Sequence, residues 1–252
     1  MRTSLLIARN DLHRQFVQPF AWVLIGLICA LLAWQFLIAL DAYLRAAPKL
    51  GAIANAPGVS ELVAIPLLRN LSAILILIAP LTTMQSLAGE RRGHTLPLLL
   101  AANVGSGRII FGKFVGAYVL LAMIVVIATL MPLVLQIGTS LDLARIASAA
   151  FGLLLYAAAL TAIGILCSAW TAHPALAAAA ALVITSLLAL VDMGARYQGV
   201  DNAFINWLSL STHLERFFFG LIASVDIVYF LLITALALMF AARRLDSLRV
   251  RG

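Results

Sequence analysis

The stretch FAWVLIGLICALLAWQFLIAL, Phe20 to Leu40, decides the solvent in which this chain folds. Its 21 residues carry no charge, and Gln35 is the one strongly polar side chain among them. A helix rises ~1.5 Å per residue, so such a run crosses a hydrocarbon core of ~30 Å. It is too long for the apolar region of a cleavable signal peptide, and no small-residue cleavage site follows it. It is therefore expected to stay in the membrane as an anchor.

The rest of the chain has the same character. Of 252 residues, 64% are hydrophobic and 11% charged, whereas a soluble domain carries about 25% charge. Mean hydropathy is +1.08. So much apolar surface has no room in one globular core, and lipid must solvate the remainder. Six spans are predicted, at roughly 20–41, 66–88, 113–136, 145–169, 174–193 and 224–243. Pro66, Pro80, Pro132 and Pro174 fall at or near their ends or at kinks, which neighbouring helices make tolerable in a bilayer. The predicted fold class is an all-α polytopic membrane protein, one unit over 1–252. No soluble domain, long linker or low-complexity tract interrupts it.

The net charge of +7 does not point to nucleic acid, because the Lys and Arg lie between apolar runs rather than on a face of a soluble fold. They fit lipid headgroups and topology instead. Counted between the spans, eleven lie on the side of the N-terminus and six on the other, so both termini are expected in the cytoplasm. Residues 2–16 are predicted to form an interfacial helix, with Leu5, Ala8, Leu12 and Phe16 on its apolar side. On the outside, residues 45–65 form one long segment. Residues 194–223, with Tyr197, Phe204, Trp207 and Phe217 to Phe219, are too apolar for a free loop. They are expected to dip back toward the bilayer as one or two short helices.

Several chemistries are excluded or set aside. The span centres hold no titratable residue, which argues against an ion-coupled carrier. Asp192 is expected to pair locally with Arg196, and Asp226 to sit at a helix N-terminus. Gln35, Thr82, Thr83, Gln85, Thr185 and Ser186 have two readings, lining of a path or interhelical hydrogen bonding. Cys29 and Cys167 read as small buried hydrophobes rather than a disulfide or metal site. No cofactor is expected on this chain. Gly107 to Lys113 matches the start of a nucleotide-binding P-loop, but Phe114 stands where Ser or Thr must hold magnesium. Lys113 is instead expected to snorkel toward phosphate headgroups. His213 with Glu215, near Ser209 and Ser211, is a candidate outside-face site, against which stands a plain polar face on a short helix. Gly112 and Gly116 make a weak helix-packing motif, and the Ala-rich run 175–181 gives the fifth span a smooth face.

One polar stretch stands out from this background: GERRGHTLPLLL, Gly89 to Leu100, between the second and third spans. Thr95 can cap a short helix, with Pro97 in its first turn. Leu96, Leu98, Leu99 and Leu100 then follow, and Asn103 to Gly107 end it. Such leucines belong either among headgroups or in a groove of a cytoplasmic partner.

At these residues the chain resembles a known family. APLTTMQSLAGERRGHTLPLLLAANVGSGRIIFGKFVGAYVLL, residues 79–121, is similar to the core signature of type-2 ABC exporter permeases. The branch resembled includes gliding-motility and nitrous-oxide-reductase accessory permeases. The shared pattern is a proline and threonines late in span two, Glu-Arg-Arg, a Thr-Leu step, a leucine triplet and Gly-Lys at span three. The likeness extends through 7–24, 139–172 and 208–249. Gly93-His94 and Ala101-Ala102-Asn103 depart from the family's usual Ser-Gly pair and Thr-Ser-Pro turn, with the length kept.

The resemblance implies a cytoplasmic coupling helix that docks on a separate ATPase subunit, through Glu90, Arg91, Arg92, Thr95, Leu96, Leu98, Leu99 and Leu100. It implies that residues 2–16 are a connecting helix and 203–222 a re-entrant segment before the last span. It also implies an assembly of two permeases, identical or siblings, with two ABC ATPase subunits that bind the ATP and magnesium. Packing between permeases is expected at the first and fifth spans, through Ala177, Ala178 and Ala181. A further subunit with a large extracytoplasmic domain belongs to the same expectation, as does a bacterial inner membrane location. The chain itself is then a non-catalytic exporter permease. The alternative is an ATP-driven force transmitter that acts on an extracytoplasmic partner without moving a solute.

Overall fold

A computed structural model describes residues 17, 19–50, 58–93, 105–197 and 207–251. Among them the regular structure is helical throughout. The helices are α1 (Pro19–Leu50), α2 (Ile65–Thr83), α3 (Ala88–Arg92), α4 (Ser106–Leu133), α5 (Leu143–Trp170), α6 (Pro174–Tyr197), α7 (Leu210–Phe218) and α8 (Ser224–Arg251). Six segments are long and apolar enough to cross a membrane: Ala21–Lys49, Ser60–Arg92, Ser106–Ile137, Leu143–Trp170, Pro174–Val191 and Ser224–Arg249. The chain is thus an all-α polytopic membrane protein, with the six spans in the predicted order. Their ends run further than the hydropathy suggested, because polar residues continue a helix into the headgroup region at little cost.

The spans alternate in direction. One end of the bundle, here the basic end, carries Arg91, Arg92, Arg108, Arg243, Arg244 and Arg249. The opposite end carries the α1 C-terminus, the start of α5 and the short helix α7. Three prolines explain local geometry. Pro66 lacks the N–H that would continue an i→i−4 ladder, and a π-turn at Ser60–Ala64 precedes it. Pro132 lies in the last turn of α4, which tightens into a 3-10 turn at Val134–Ile137. Pro174 opens α6, where a missing donor costs nothing.

α5 is the axis of the bundle and packs against α2, α4, α6, α7 and α8. Lipid gives no hydrophobic drive for two helices to meet, so close backbone approach has to supply dispersion energy. α5 provides this with small residues: Ala149, Gly152, Ala157, Ala159, Ala162 and Gly164 are all buried. The main core joins α5 to α1, α2, α4, α7 and α8 around Leu68, Leu71, Leu121, Tyr156 and Phe230. A second core at the basic end gathers Leu87, Ile109, Ile110, Phe114, Ile165, Ala241 and Leu245.

At the opposite end α7 lies over α5 and is tied down by specific bonds. Ser209 caps it by accepting from the Thr212 N–H at 3.3 Å, and the Ser211 hydroxyl donates to the Ala189 carbonyl at 2.7 Å. Arg145 Nε donates to the Phe218 carbonyl at 2.8 Å. Gly220, at φ 81°, turns the chain out of α7. Phe217 lies directly on Gly152, where an added Cβ would come within 2.5 Å of the ring. Gly152→Leu is therefore expected to lift α7 and cost about 1–3 kcal/mol, the usual penalty of overpacking. Thermal melting in detergent measures it, with Ala147→Leu on the exposed face of α5 as the neutral control.

Candidate functional site

The site is a corner at the basic end, where the second span breaks. α2 ends at Thr83, residues 84–87 form a turn, and α3 resumes at Ala88. Pro80 lies in the last turn of α2, and the Thr83 hydroxyl donates back to the Ala79 carbonyl at 2.7 Å. A break of this kind strands backbone groups, and in a lipid-facing bundle no water is at hand to satisfy them.

Ser168 of α5 satisfies three of them. Its Oγ accepts from the Leu87 N–H at 3.1 Å and from the Ala88 N–H at 3.0 Å. Its own proton goes to the Met84 carbonyl at 3.1 Å. One hydroxyl offers one donor and two lone pairs, so Ser168 uses all of its capacity here. One turn earlier on α5, Gly164 admits Thr83, whose Oγ1 lies 2.1 Å from where a Cβ would stand.

A second tie comes from α4. Lys113 Nζ is 2.5 Å from Glu90 Oε1, with the two side chains 3% and 16% exposed. The ammonium is thus buried beside a carboxylate rather than extended toward headgroups. The snorkelling expected of Lys113 is corrected by this geometry: Glu90 stands one turn of α3 away from the break and offers a nearer anion than lipid phosphate. Buried charge in a low-dielectric setting requires such pairing. Gly107 to Lys113, the stretch that mimics a P-loop, lies in the first two turns of α4.

Of the predicted partner-contact residues, Glu90, Arg91 and Arg92 form α3, with Arg92 exposed and Arg91 half-exposed. Thr95, Leu96, Leu98, Leu99 and Leu100 lie outside the described residues, as does the expected interfacial helix 2–16. The structure shows where the loop that holds them is rooted: α3 contacts α5 and α6.

Three other expectations are corrected. Thr82, Thr83 and Thr185 bond to carbonyls of their own helices, not across helices. Such back-bonding satisfies a hydroxyl wherever no partner helix offers a group. Ala177 and Ala181 are each 1% exposed and covered by the chain itself, Ala181 by Ile163 and Cys167. Ala181 thus packs on α5 within the chain, and Ala178 is half-buried. The apolar surface that α6 turns outward consists of Leu176, Val183, Ile184, Leu187 and Leu190.

The third correction concerns His213 and Glu215 as an outside-face site. His213 is 2% exposed and stacks on Tyr229 with ring centroids 3.9 Å apart. Its Nδ1 is 2.5 Å from Asp226 Oδ1 and its Nε2 is 3.0 Å from the Trp207 carbonyl. Both ring nitrogens are thus engaged, one by the Asp226 carboxylate and the other by the Trp207 carbonyl. Arg216 reaches the same Asp226 oxygen at 3.2 Å. The group fastens α7 to the first turn of α8. Sequence spacing missed it because Asp226 is thirteen residues from His213 and across a turn.

The fold and this doubly tied corner define a multi-pass α-helical membrane component in which buried polar side chains fasten one helix to another. The ABC-2 family transporter protein pattern matches residues 5–244, and the chain belongs to that family. It is thus a permease subunit of an ABC transporter, a membrane transport component whose family works with an ABC ATPase. No curated protein matches the chain.

Proposed function

We propose that this chain is a single permease domain and one half of an exporter of the gliding-motility or nitrous-oxide-reductase accessory branch. It sits in a bacterial inner membrane with both termini and the loop 94–104 in the cytoplasm. Two copies, or a copy and a sibling, assemble with two ATPase subunits, and a subunit with a large extracytoplasmic domain completes the set. Each ATPase subunit receives the loop through Glu90, Arg91, Arg92, Thr95, Leu96, Leu98, Leu99 and Leu100. ATP and magnesium stay on that partner. The observation that carries this reading is the doubly fastened root: Ser168 holds the turn before α3, and the buried Lys113 holds Glu90 within it. A loop that only floated among headgroups would need no such footing.

ATP-driven closure of the ATPase pair moves both loops, and the permease halves rock between inward and outward access. The equilibrium shifts only as far as ATP favours one state over the other. A second permease fits the outward apolar faces of α1 and α6, since Ala177 and Ala181 are already covered.

Sided labelling tests the orientation. In a chain with Cys29 and Cys167 replaced by alanine, His94→Cys is expected to react with an impermeant maleimide only after the cytoplasmic face is opened. Reaction in intact spheroplasts would put the loop beyond the reach of any ATPase and end this reading.

A further inference from the structure

We propose that Ser168 is the residue through which movement of the loop 94–104 is delivered to α5, and that the push enters the bundle there rather than along α2. This rests on the docking reading above and adds the route to it.

A break between α2 and α3 would ordinarily act as a free joint. Displacement of the loop would bend residues 84–87 and go no further, because hinges absorb motion in a few backbone dihedrals. Here the joint is not free. Its stranded groups, Leu87 N–H, Ala88 N–H and the Met84 carbonyl, all meet the Ser168 hydroxyl. Ser168 is 0% exposed, so no water competes for those bonds. Gly164, on the same face of α5, seats Thr83 from the other side of the break. Leu87 itself is buried in the second core with Ile165 and Ala169. The turn keeps bonds to α2, from Met84 N–H to the Pro80 carbonyl at 2.9 Å and from Ser86 N–H to the Thr83 carbonyl at 3.0 Å, and Ser168 fastens both of its ends to α5. α5 in turn contacts α2, α4, α6, α7 and α8, so its displacement reaches every other span except α1 directly. Contiguous hydrogen-bonded and packed elements of this kind can carry coupling between distant sites. Ser168 acts through backbone groups of the joint and is a positioning residue.

The experiment uses the full chain in complex with its ATPase subunit, with Cys29 and Cys167 replaced by alanine. Spin labels at Ala42→Cys on α1 and Ala144→Cys on α5, both exposed, read the distance between those helices at the end opposite the break. The distance is compared without nucleotide and with ATP trapped by vanadate. The variants are Ser168→Thr, which keeps the hydroxyl, Ser168→Val, which has the same shape without it, and Ser168→Ala.

The unaltered chain and Ser168→Thr are expected to show an ATP-dependent shift. Ser168→Val and Ser168→Ala are expected to lose it while the ATPase subunit still co-purifies. Amide exchange at Leu87 and Ala88 should rise by about five- to tenfold in Ser168→Ala, the change expected for one lost hydrogen bond. An equal shift in all four chains overturns the proposal. So does a loss in Ser168→Thr equal to that in Ser168→Val, which would assign the effect to shape. If the unaltered complex shows no shift, the docking reading fails first, which separates the two.

Discussion

Leu99→Asp is expected to detach the ATPase subunit while the six-span bundle still assembles. Leu99 lies in the middle of the leucine triplet that follows Pro97. If the triplet fills an apolar groove, a carboxylate there must be desolvated without a partner. Residues at the centre of such contacts cost about 2–4 kcal/mol when lost, which corresponds to a fall in affinity of about 30- to 1,000-fold. Co-purification of tagged ATPase subunit with solubilised permease reads the loss, and a titration in detergent gives its size. Melting of the isolated permease should hardly change, because the substitution falls between the second and third spans. If the leucines rest among headgroups, the complex will form as before, and the contact must be sought elsewhere on this face.

Removing Lys113 is the second large effect. Lys113→Met takes away the ammonium beside Glu90 in a corner where both side chains are largely buried. Breaking one side of such a pair costs about 3–5 kcal/mol. For a chain of this size that corresponds to a fall in Tm of roughly 6–20 °C. Glu90→Gln should cost a similar amount. The double substitution Glu90→Gln with Lys113→Met should recover much of the loss, since a buried pair replaced as a whole is close to neutral. A double-mutant cycle on Tm isolates the coupling. Added salt should change little, because screening hardly reaches buried charge. The pair Asp41 and Arg45 on α1 makes the contrast: at 62% and 80% exposure it sits on the surface, and its removal should go almost unnoticed. A single substitution at Lys113 without effect on melting would mean that the pair does not hold the root of the loop.

Much of the architecture was legible before any coordinates. The six spans, the positions of the prolines near helix ends and the short helix before the last span all follow from local quantities. Those quantities are hydropathy, the rise per residue and the missing N–H of proline. The polar stretch that begins at Gly89 also stands out in the sequence, because charge is expensive in such a chain wherever it is kept.

The errors share a cause. The apolar sequence neighbours of Lys113 point it toward lipid, whereas the carboxylate it meets is 23 residues away on another helix. A serine in the run CSAW of an apolar span has no signal until the break opposite it is known. The alanines of α6 suggested a smooth face for a second copy, and α5 had already taken it. Helices that are apolar on every side give no periodic stripe to tell which side turns inward.

By itself the sequence determined that this chain lives in lipid and how often it crosses. These depend on energies of transfer and helix length, which each segment settles alone. The tertiary structure decided which groups meet: Ser168 with the broken backbone at 84–88, Lys113 with Glu90, and His213 with Asp226. Those meetings depend on the rotation and depth of one helix against another. Packing of small residues and the demand that every buried polar group find a partner set that register, and both are properties of the bundle as a whole.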